Sequence, residues 1–245
     1  MSKYYYDLHI HSCLSPCSDD DMTPNNIAGM AALKGLNILA LTDHNTCKNC
    51  PAFFEACKSY GIIPIAGMEL STAEDIHLVC LFKDLDSAME FDKVVSEHLM
   101  PIKNNPEIFG NQLILDGDDN VIGTVDTLLI SSTDFSIDDA IEIAKRYGAH
   151  VHPAHIDRES NGIIAILGDI PNEYGFTNFE FNDKDNVSDY IVKFSTVNPN
   201  NVLICSDAHH LWDINEAEFS LDIFDEPYSS AFVRENLFKY LNGSS

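Results

Sequence analysis

Short apolar segments alternate with longer helix-like segments along most of this chain, and this alternation restricts the fold more than any other feature. One repeat begins at Thr23-Pro24, where Thr suits the helix cap and Pro the first helical position. The helix is expected to run to about Lys34, Gly35 ends it, and residues 36–42 follow as a strand. Strands that alternate with helices are typical of a parallel α/β sheet or barrel, so the sequence predicts that architecture.

The remaining elements follow the same pattern, with one interruption. Strands are predicted at 4–11, 36–42, 62–67, 77–82, 149–152 and 202–205, and helices at 24–34, 51–60 and 137–147. Residues 112–115 and 121–123 flank an Asp-Gly turn and predict a β-hairpin. We interpret the region around 98–133 as an insertion at the barrel mouth that forms a lid. No linker or repeat divides the chain, so residues 1–245 are interpreted as a single domain.

The charge of the chain restricts its substrates. It has 14 Lys and Arg against 39 Asp and Glu, for a formal net charge of −25. Nucleic acid is bound mainly through Lys and Arg that neutralise its phosphates, so a long nucleic acid is an unfavourable partner for this surface. Small anionic substrates are still compatible with it, because divalent cations in a pocket reverse the sign of the charge locally.

Composition also bears on the compartment. The first residues, 1–7, contain no apolar stretch long enough for a signal peptide, and no segment approaches the roughly 18 apolar residues of a membrane span. We therefore expect a soluble cytoplasmic protein without a membrane partner. The seven cysteines are an odd number, and without a secretory signal they favour reduced thiols or metal binding over a disulfide framework.

Side chains that can bind metals lie at the ends of nearly every predicted strand. They are His9 and His11, His44, Glu69, His77, His152 and His155, and Asp207 and His209. Loops that follow parallel strands converge at one face of a barrel, so we expect these side chains to form one site. Imidazole and carboxylate ligands suit Zn, Mn or Fe, and clustered ions can activate a water while they hold a phosphoryl group.

Four of these segments resemble the motifs of the polymerase and histidinol phosphatase (PHP) family. They are Asp7-Leu8-His9-Ile10-His11-Ser12, Thr42-Asp43-His44-Asn45, Gly67-Met68-Glu69 and Ser206-Asp207-Ala208-His209. The resemblance spans residues 4–210. It implies a distorted seven-stranded (βα) TIM-like barrel with a centre of two or three metals that hydrolyses phosphoesters.

The resemblance also implies which residues hold each metal. The first metal would be held by His9, His11 and Asp207, and Glu69 would bridge it to the second. The second metal would be completed by His77 and a later histidine. The third would be held by Asp19, His44 and His209. Asp19 matches the family by its spacing to Pro24, although Asp20 replaces the family's glycine and, with Asp21, offers a rival carboxylate. Asp7, Asp43 and Asn45 would orient the imidazoles or shape loops.

Two histidines compete for the remaining position on the second metal. Relatives often read Ala-His-Pro-x-Arg, whereas this chain reads His152-Pro153-Ala154-His155-Ile156-Asp157-Arg158. Alignment on His-Pro selects His152, and alignment on Ala-His with Arg three residues later selects His155. We favour His155 because it also gives Arg158 a role in binding phosphate through a bidentate contact. His150 is interpreted as structural, and His210 as a substrate contact or an exposed surface residue.

Four cysteines allow a separate metal site. Cys13 and Cys17 follow the first strand, and Cys47 and Cys50 follow the second, so the two pairs could meet. Cys-x-x-Cys is a known zinc spacing, but residues 47–51 are equally consistent with an ordinary entry into a helix.

The sequence as a whole predicts a metal-dependent phosphoesterase, either a phosphatase or a phosphodiesterase, for a small phosphorylated substrate. A metal-bound hydroxide would attack phosphorus, and Arg158 would stabilise charge on the phosphoryl oxygens. His209 and a metal-bound water are the candidates for the acid that protonates the leaving group. The alternatives are a nuclease that acts on short nucleic acid and a non-catalytic domain that uses its metals to bind a partner.

Overall fold

The computed structural model describes residues 1–243 of the chain. Its helices are α1 (Pro24–Lys34), α2 (Cys50–Tyr60), α3 (Leu85–His98), α4 (Pro106–Phe109), α5 (Ile137–Arg146), α6 (Ile163–Leu167), α7 (Val187–Lys193) and α8 (Ser230–Leu241). The cap predicted for α1 is confirmed, because Thr23 Oγ1 accepts a hydrogen bond from Asn26 N and Gly35 adopts a left-handed φ of 81°. No helix within residues 1–243 is long and apolar enough to cross a membrane.

The strands form one curved sheet and two small strand pairs within residues 1–243. They are β1 (Ser2–Asp7), β2 (Ile38–Leu41), β3 (Ile63–Ser71), β4 (His77–Phe82), β5 (Leu113–Leu115), β6 (Val121–Thr124), β7 (His150–Pro153), β8 (Phe179–Phe181), β9 (Val202–Ile204) and β10 (Ser220–Ile223). The sheet has six strands in the order β10-β1-β2-β3-β4-β7 and forms a half-barrel. β1, β2 and β3 are parallel, and the other neighbouring strands in this sheet are antiparallel.

The seven-stranded barrel that the family resemblance implied is not confirmed, and the connection after β3 shows one reason. Residues 72–76 join β3 to β4 in a tight turn, in which Thr72 N donates to Ile76 O at 2.9 Å and Asp75 has a φ of 66°. A parallel connection needs a crossover of about a dozen residues or more. This link is too short, so β4 runs antiparallel to β3 in a hairpin.

The parallel pair β8–β9 lies between β7, an edge strand of the half-barrel, and β1, without continuing the ladder of the sheet. Beside β7, Ile156 N donates to Glu180 O at 2.9 Å. Beside β1, His11 N donates to Ala208 O at 3.0 Å. The strand pair therefore covers the open side of the sheet and brings Glu180 and residues 207–209 towards the ends of β1 and β3.

The two faces of the sheet enter different hydrophobic clusters, as the alternation of side chains along a strand requires. In β2, Leu39 and Leu41 pack in the larger cluster with residues of α1, α2, α3 and α5. Ile38 and Ala40 point to the opposite face, in a cluster that includes Val233 of α8. Both faces are therefore buried, and polar side chains collect at the strand ends, where the loops begin.

The hairpin predicted inside the insertion is confirmed as the antiparallel pair β5–β6. The insertion packs on the loop after β2, where Asn45 Nδ2 donates to Leu129 O at 2.7 Å and to Ser131 O at 2.9 Å. These two bonds place Ile130 beside the cavity that contains the predicted site. Its function as a lid stays a prediction.

Candidate metal centre

The carboxylate of Glu69 lies at the centre of the predicted site. Its Oε2 atom is 3.2 Å from His11 Nε2 and 3.5 Å from His9 Nε2. Asp207 Oδ1 is 3.0 Å from His11 Nε2 and 3.3 Å from His9 Nε2. All four side chains are buried, and together they form a group that could hold one metal ion. The structure thus brings together side chains from the two ends of the chain, and their function as one metal site stays a prediction.

The other edge of Glu69 meets a second set of imidazoles. Glu69 Oε1 is 2.7 Å from His77 Nδ1 and 3.0 Å from His155 Nε2. His44 Nδ1 lies 3.0 Å from Glu69 Oε2, and His44, Glu69 and His77 form another group with metal-binding spacing. β3 extends to Ser71 and so includes Glu69, which sequence analysis had placed after the strand. Glu69 therefore directs Oε1 towards His77 and His155, and Oε2 towards His9, His11 and His44.

A third group consists of His11, His44 and His209. The ring centroids of His11 and His209 are 4.3 Å apart, and those of His11 and His44 are 4.5 Å apart. Burial lowers the pKa of His44 to about 4 and that of His209 to about 3. Both imidazoles are therefore neutral at pH 7, the form in which histidine binds metals.

The hydrogen bonds at the Nδ1 atoms of His9 and His11 determine which nitrogen of each ring carries the proton. His9 Nδ1 lies 2.8 Å from Glu180 Oε1, a carboxylate to which only N–H can donate. His11 Nδ1 lies 2.9 Å from Ser15 Oγ, and that hydroxyl donates its own proton to Asp43 Oδ1 at 2.7 Å. In the neutral imidazoles both Nε2 atoms then carry lone pairs, yet these atoms are only 3.1 Å apart.

This arrangement fits a divalent cation. Glu69 Oε2, Asp207 Oδ1 and His44 Nδ1 are buried and have no hydrogen-bond partner within residues 1–243. Burial alone would lower the pKa of His11, but the neighbouring carboxylates of Asp207 and Glu69 raise it to about 9 in the metal-free protein. The same negative field attracts a metal ion, which displaces such protons when it binds.

Glu180 is a buried residue at the predicted site that sequence analysis missed. Its side chain is fully buried on β8, with Oε1 facing His9 Nδ1 and accepting from His155 N at 3.1 Å, and Oε2 3.4 Å from His152 Nε2. Burial raises the pKa of Glu180, but the charges of His9 and His152 outweigh it and lower the pKa to about 2. A charged residue between Phe179 and Phe181 was a signal in the sequence, because an apolar strand seldom buries an unpaired carboxylate.

Asp43 organises the loop after β1. Its carboxylate accepts hydrogen bonds from Ser12 N, Ser12 Oγ and Ser15 Oγ, each at 2.7 Å. Ser15, which sequence analysis also missed, connects Asp43 to His11. Asp7 binds the opposite loop, accepting from Ser206 N at 3.0 Å and from Asn215 N. Both aspartates therefore position ligand-bearing segments.

The structure separates the two histidines that competed for the second metal. His155 Nε2 faces Glu69 Oε1, whereas His152 Nε2 faces Glu180 Oε2. His155 has a φ of 25°, a left-handed backbone that turns its ring away from the direction of β7. The geometry favours His155, and its role as a ligand stays a prediction. His150 is buried against Asn242, 3.0 Å from its Oδ1 atom, as expected for a structural histidine.

Asp19 and His210 lie outside the cluster. Asp19 N donates to His209 O at 3.0 Å, so its backbone is next to the site. Its carboxylate is 51% exposed and lies 3.4 Å from the ring of His210, which is 58% exposed. The structure therefore does not bring Asp19 into the group of His11, His44 and His209, and solvent hydrates its charge instead.

The cysteines form no metal group. Among residues 1–243, no set of three or more side chains with metal-binding spacing includes a cysteine. Cys47 Sγ donates to Gly67 O at 3.2 Å, and Cys50 Sγ lies 3.7 Å from the same oxygen, so both thiols pack in the core. Cys13 is buried, and Cys17 is exposed beside the cavity.

A cavity of about 390 Å³ opens over the cluster. Glu69, Asp207, His44, His77, His155 and His209 form its polar part, together with Cys17, Asp75, Ile130, Arg158, Ser160 and Asn161. Arg158 pairs with Asp207, and its side chain is 48% exposed. The cavity therefore has a guanidinium beside a base of ligand-capable side chains, and its volume suits a small molecule.

The curved α/β sheet and this cluster define a metal-dependent hydrolase. The PHP domain model matches residues 7–202. This range includes the residues of the site except Asp207 and His209. The chain belongs to the PHP family, whose enzymes act on phosphoester bonds. The family resemblance noted in the sequence is thereby confirmed.

Known relatives match short parts of the chain. A 5'-3' exoribonuclease from Haemophilus influenzae is 39% identical over 79 residues, which cover 31% of this chain and 28% of that enzyme. An error-prone DNA polymerase from Symbiobacterium thermophilum is 36% identical over 77 residues, which cover 31% of this chain and 7% of the polymerase. The chain thus matches less than a third of the length of either relative.

Solved structures match the whole fold at low identity. A lesion-specific endonuclease, endonuclease Q from Pyrococcus furiosus, superimposes with a TM-score of 0.65 at 18% identity, over 100% of this chain and 57% of that one. A protein from Bifidobacterium adolescentis described as a metal-dependent phosphoesterase gives a TM-score of 0.60 at 16% identity, over 96% of both chains. At these identities the likeness shows the fold alone.

Proposed function

We propose that this protein hydrolyses a small phosphoester, as a phosphatase or phosphodiesterase, with two or three Zn, Mn or Fe ions. His9, His11, Glu69 and Asp207 would hold one ion, Glu69, His77 and His155 a second, and His44 and His209 would contribute to a third. The observation that carries this proposal is the convergence of imidazole nitrogens and orphaned carboxylate oxygens at the base of an open cavity. When bound, the ions would act as Lewis acids towards the phosphoryl group and its attacking water.

The residues of the chain supply substrate binding and ligand orientation. Arg158 lies at the cavity, and its pairing with Asp207 holds the guanidinium beside the cluster, where it would bind phosphoryl oxygens. Glu180 and Ser15 keep the Nε2 atoms of His9 and His11 free to bind an ion.

The charge pattern favours a small substrate over a polymer. Arg158 is the single Lys or Arg among the described residues that line the cavity, and Asp75 lines the same cavity. A protein that tracks a nucleic acid presents several cations along its path. With a net charge of −25, this chain instead repels phosphates that lie beyond the metal centre.

A nuclease is the second candidate, and the comparisons favour it. Endonuclease Q has been solved with a 27-mer duplex substrate, and its fold covers this entire chain. However, this chain covers only 57% of that protein, and Arg158 is the single cation among the described residues that line the cavity. We infer that a nuclease activity of this chain would be limited to short nucleic acid.

A panel assay separates these two functions. Metal-loaded protein should hydrolyse phosphomonoesters, nucleotides or cyclic dinucleotides, and should bind duplex DNA negligibly at moderate salt, because the chain carries few cations. Product release and fluorescence anisotropy with labelled duplex measure the two properties. Tight, salt-sensitive binding of the duplex with no turnover of small esters would refute the proposal in favour of a nuclease.

Metal content tests the centre itself. Protein purified without chelator should contain two or three transition-metal ions per chain, because the cluster offers more imidazoles and carboxylates than one ion can coordinate and Glu69 can serve two ions. Elemental analysis at known protein concentration measures this number. One ion or none, with no gain when Mn or Zn is added, would contradict the multinuclear centre.

Arg158 tests the substrate contact. Arg158→Ala should leave the metal content intact and raise KM about tenfold to a hundredfold, because loss of a guanidinium–phosphate contact costs about 1.5–3 kcal/mol. The control is Arg146→Ala, which removes an exposed arginine paired with Glu142 on α5. An unchanged KM for Arg158→Ala would exclude the contact with phosphate.

A further inference from the structure

A second cavity, of about 330 Å³, lies away from the metal centre. Phe54, Lys58, Gly61, Ile62, Pro64, Tyr228, Ser230 and Arg234 line it. Pro64 is at the beginning of β3, five residues before Glu69, and extended chain of that length spans about 16 Å. The cavity therefore opens near the other end of the strands, between α2 and the beginning of α8.

The two cations of this cavity, Lys58 and Arg234, have no carboxylate of residues 1–243 within 4.0 Å, as is the case for eight of the 14 Lys and Arg in the chain. Six Lys and Arg residues lie within 4.0 Å of a carboxylate: Lys34, Lys48, Arg146, Arg158, Lys184 and Lys239. Within residues 1–243, neither Lys58 nor Arg234 has such a partner, although the chain has 39 carboxylates. Two positive charges thus line one small cavity, and no carboxylate within residues 1–243 is in direct contact with either of them.

Arg234 is held in place rather than free in solvent. Its guanidinium lies over the ring of Phe54, 5.8 Å from the centroid, and the residue is partly buried. Burial lowers the pKa of Arg234 despite the opposing effect of Asp84. The guanidinium has therefore lost part of its hydration, and an anion in the cavity would restore its hydrogen bonds.

We propose that this cavity binds a small phosphorylated molecule that carries a planar ring, such as a nucleoside monophosphate. Arg234 and Lys58 would bind the phosphate, and the hydroxyl of Ser230 would add a hydrogen bond. Tyr228, which is 65% exposed at the cavity, offers a ring face for the planar group. The volume lies in the range of small-ligand sites. This site does not depend on the proposed phosphoesterase activity.

Calorimetric titration tests the proposal with inorganic phosphate and with AMP. The full chain is titrated both metal-loaded and after metal removal by a chelator, because phosphate binding at the metal centre requires the ions. AMP binding should persist without metal and be tighter than phosphate binding. Arg234→Gln and Lys58→Gln should each weaken it about tenfold to a hundredfold.

Two variants keep this test decisive. Lys93→Gln removes an exposed cation on α3 and should leave AMP binding unchanged. Lys58 is exposed, so Lys58→Gln should fold normally even if the loss of Arg234 from Phe54 destabilises the chain. Absence of chelator-resistant binding, or binding unaffected by Lys58→Gln and Arg234→Gln, would overturn the proposal. Phosphate binding as tight as AMP binding would exclude the role of the ring.

Discussion

His155→Ala is expected to remove a metal ion and nearly abolish turnover, whereas His152→Ala should leave the metal content intact. The reason is the direction of each ring: His155 Nε2 lies 3.0 Å from Glu69 Oε1, and His152 Nε2 lies 3.4 Å from Glu180 Oε2. Loss of a residue that only hydrogen-bonds to a metal ligand typically lowers activity about 10- to 100-fold, and loss of a ligand itself should lower it more.

Elemental analysis and kcat measured on both variants decide between them. Each substitution removes one buried imidazole, so the two variants are matched in volume and in the cavity they create. Melting temperatures in chelator check that neither variant is simply unfolded. If His152→Ala loses a metal and His155→Ala keeps its full complement, alignment on His-Pro is correct and our assignment of His155 is wrong.

Glu180→Ala is expected to lower metal affinity about 10- to 100-fold although Glu180 itself would bind no metal. Its Oε1 atom accepts from His155 N and faces His9 Nδ1, so one carboxylate positions a ligand of each of two metals. Glu180→Gln retains an oxygen that can accept one of these bonds, and should recover part of the affinity. Competition with a chelating indicator measures the dissociation constants.

The control for Glu180 is Asp92→Asn. Asp92 is a buried carboxylate that accepts from Thr46 Oγ1 and Cys47 N and pairs with Lys48, and it contacts no predicted ligand. The Asp92→Asn substitution should reduce the melting temperature of the metal-free chain without changing its metal affinity. Equal metal affinity in Glu180→Ala and the unaltered protein would show that Glu180 serves the fold alone.

The number of candidate ligands in this chain argues against a domain that uses its metals without catalysis. Seven of the nine predicted metal-binding side chains belong to the three groups with metal-binding spacing, and an eighth, His155, contacts Glu69. Asp19 is the exception. A domain that uses a metal only for structure needs a closed set of about four ligands. The open cavity above this larger set instead favours access by a substrate.

The sequence by itself determined the local elements and most of the candidate site. The cap at Thr23, the left-handed Gly35 and the strand at His77–Phe82 follow from local chemistry, and the structure confirms them. The motifs around His9 and His44 identified the cluster because imidazoles at successive strand ends must converge when the strands are neighbours in a sheet. This inference needed only the order of strands along the chain.

The tertiary structure alone decided the direction of β4, the role of Glu180 and the place of Asp19. Whether a strand runs parallel depends on the length of its connection, and the turn at 72–76 was too short for a crossover. Glu180 lies at the site because β8 packs beside β7. Local sequence patterns do not encode such a contact between two separate strands. For Asp19, spacing placed the backbone correctly next to His209, but the direction of an exposed side chain depends on hydration and neighbours, which only three-dimensional packing specifies.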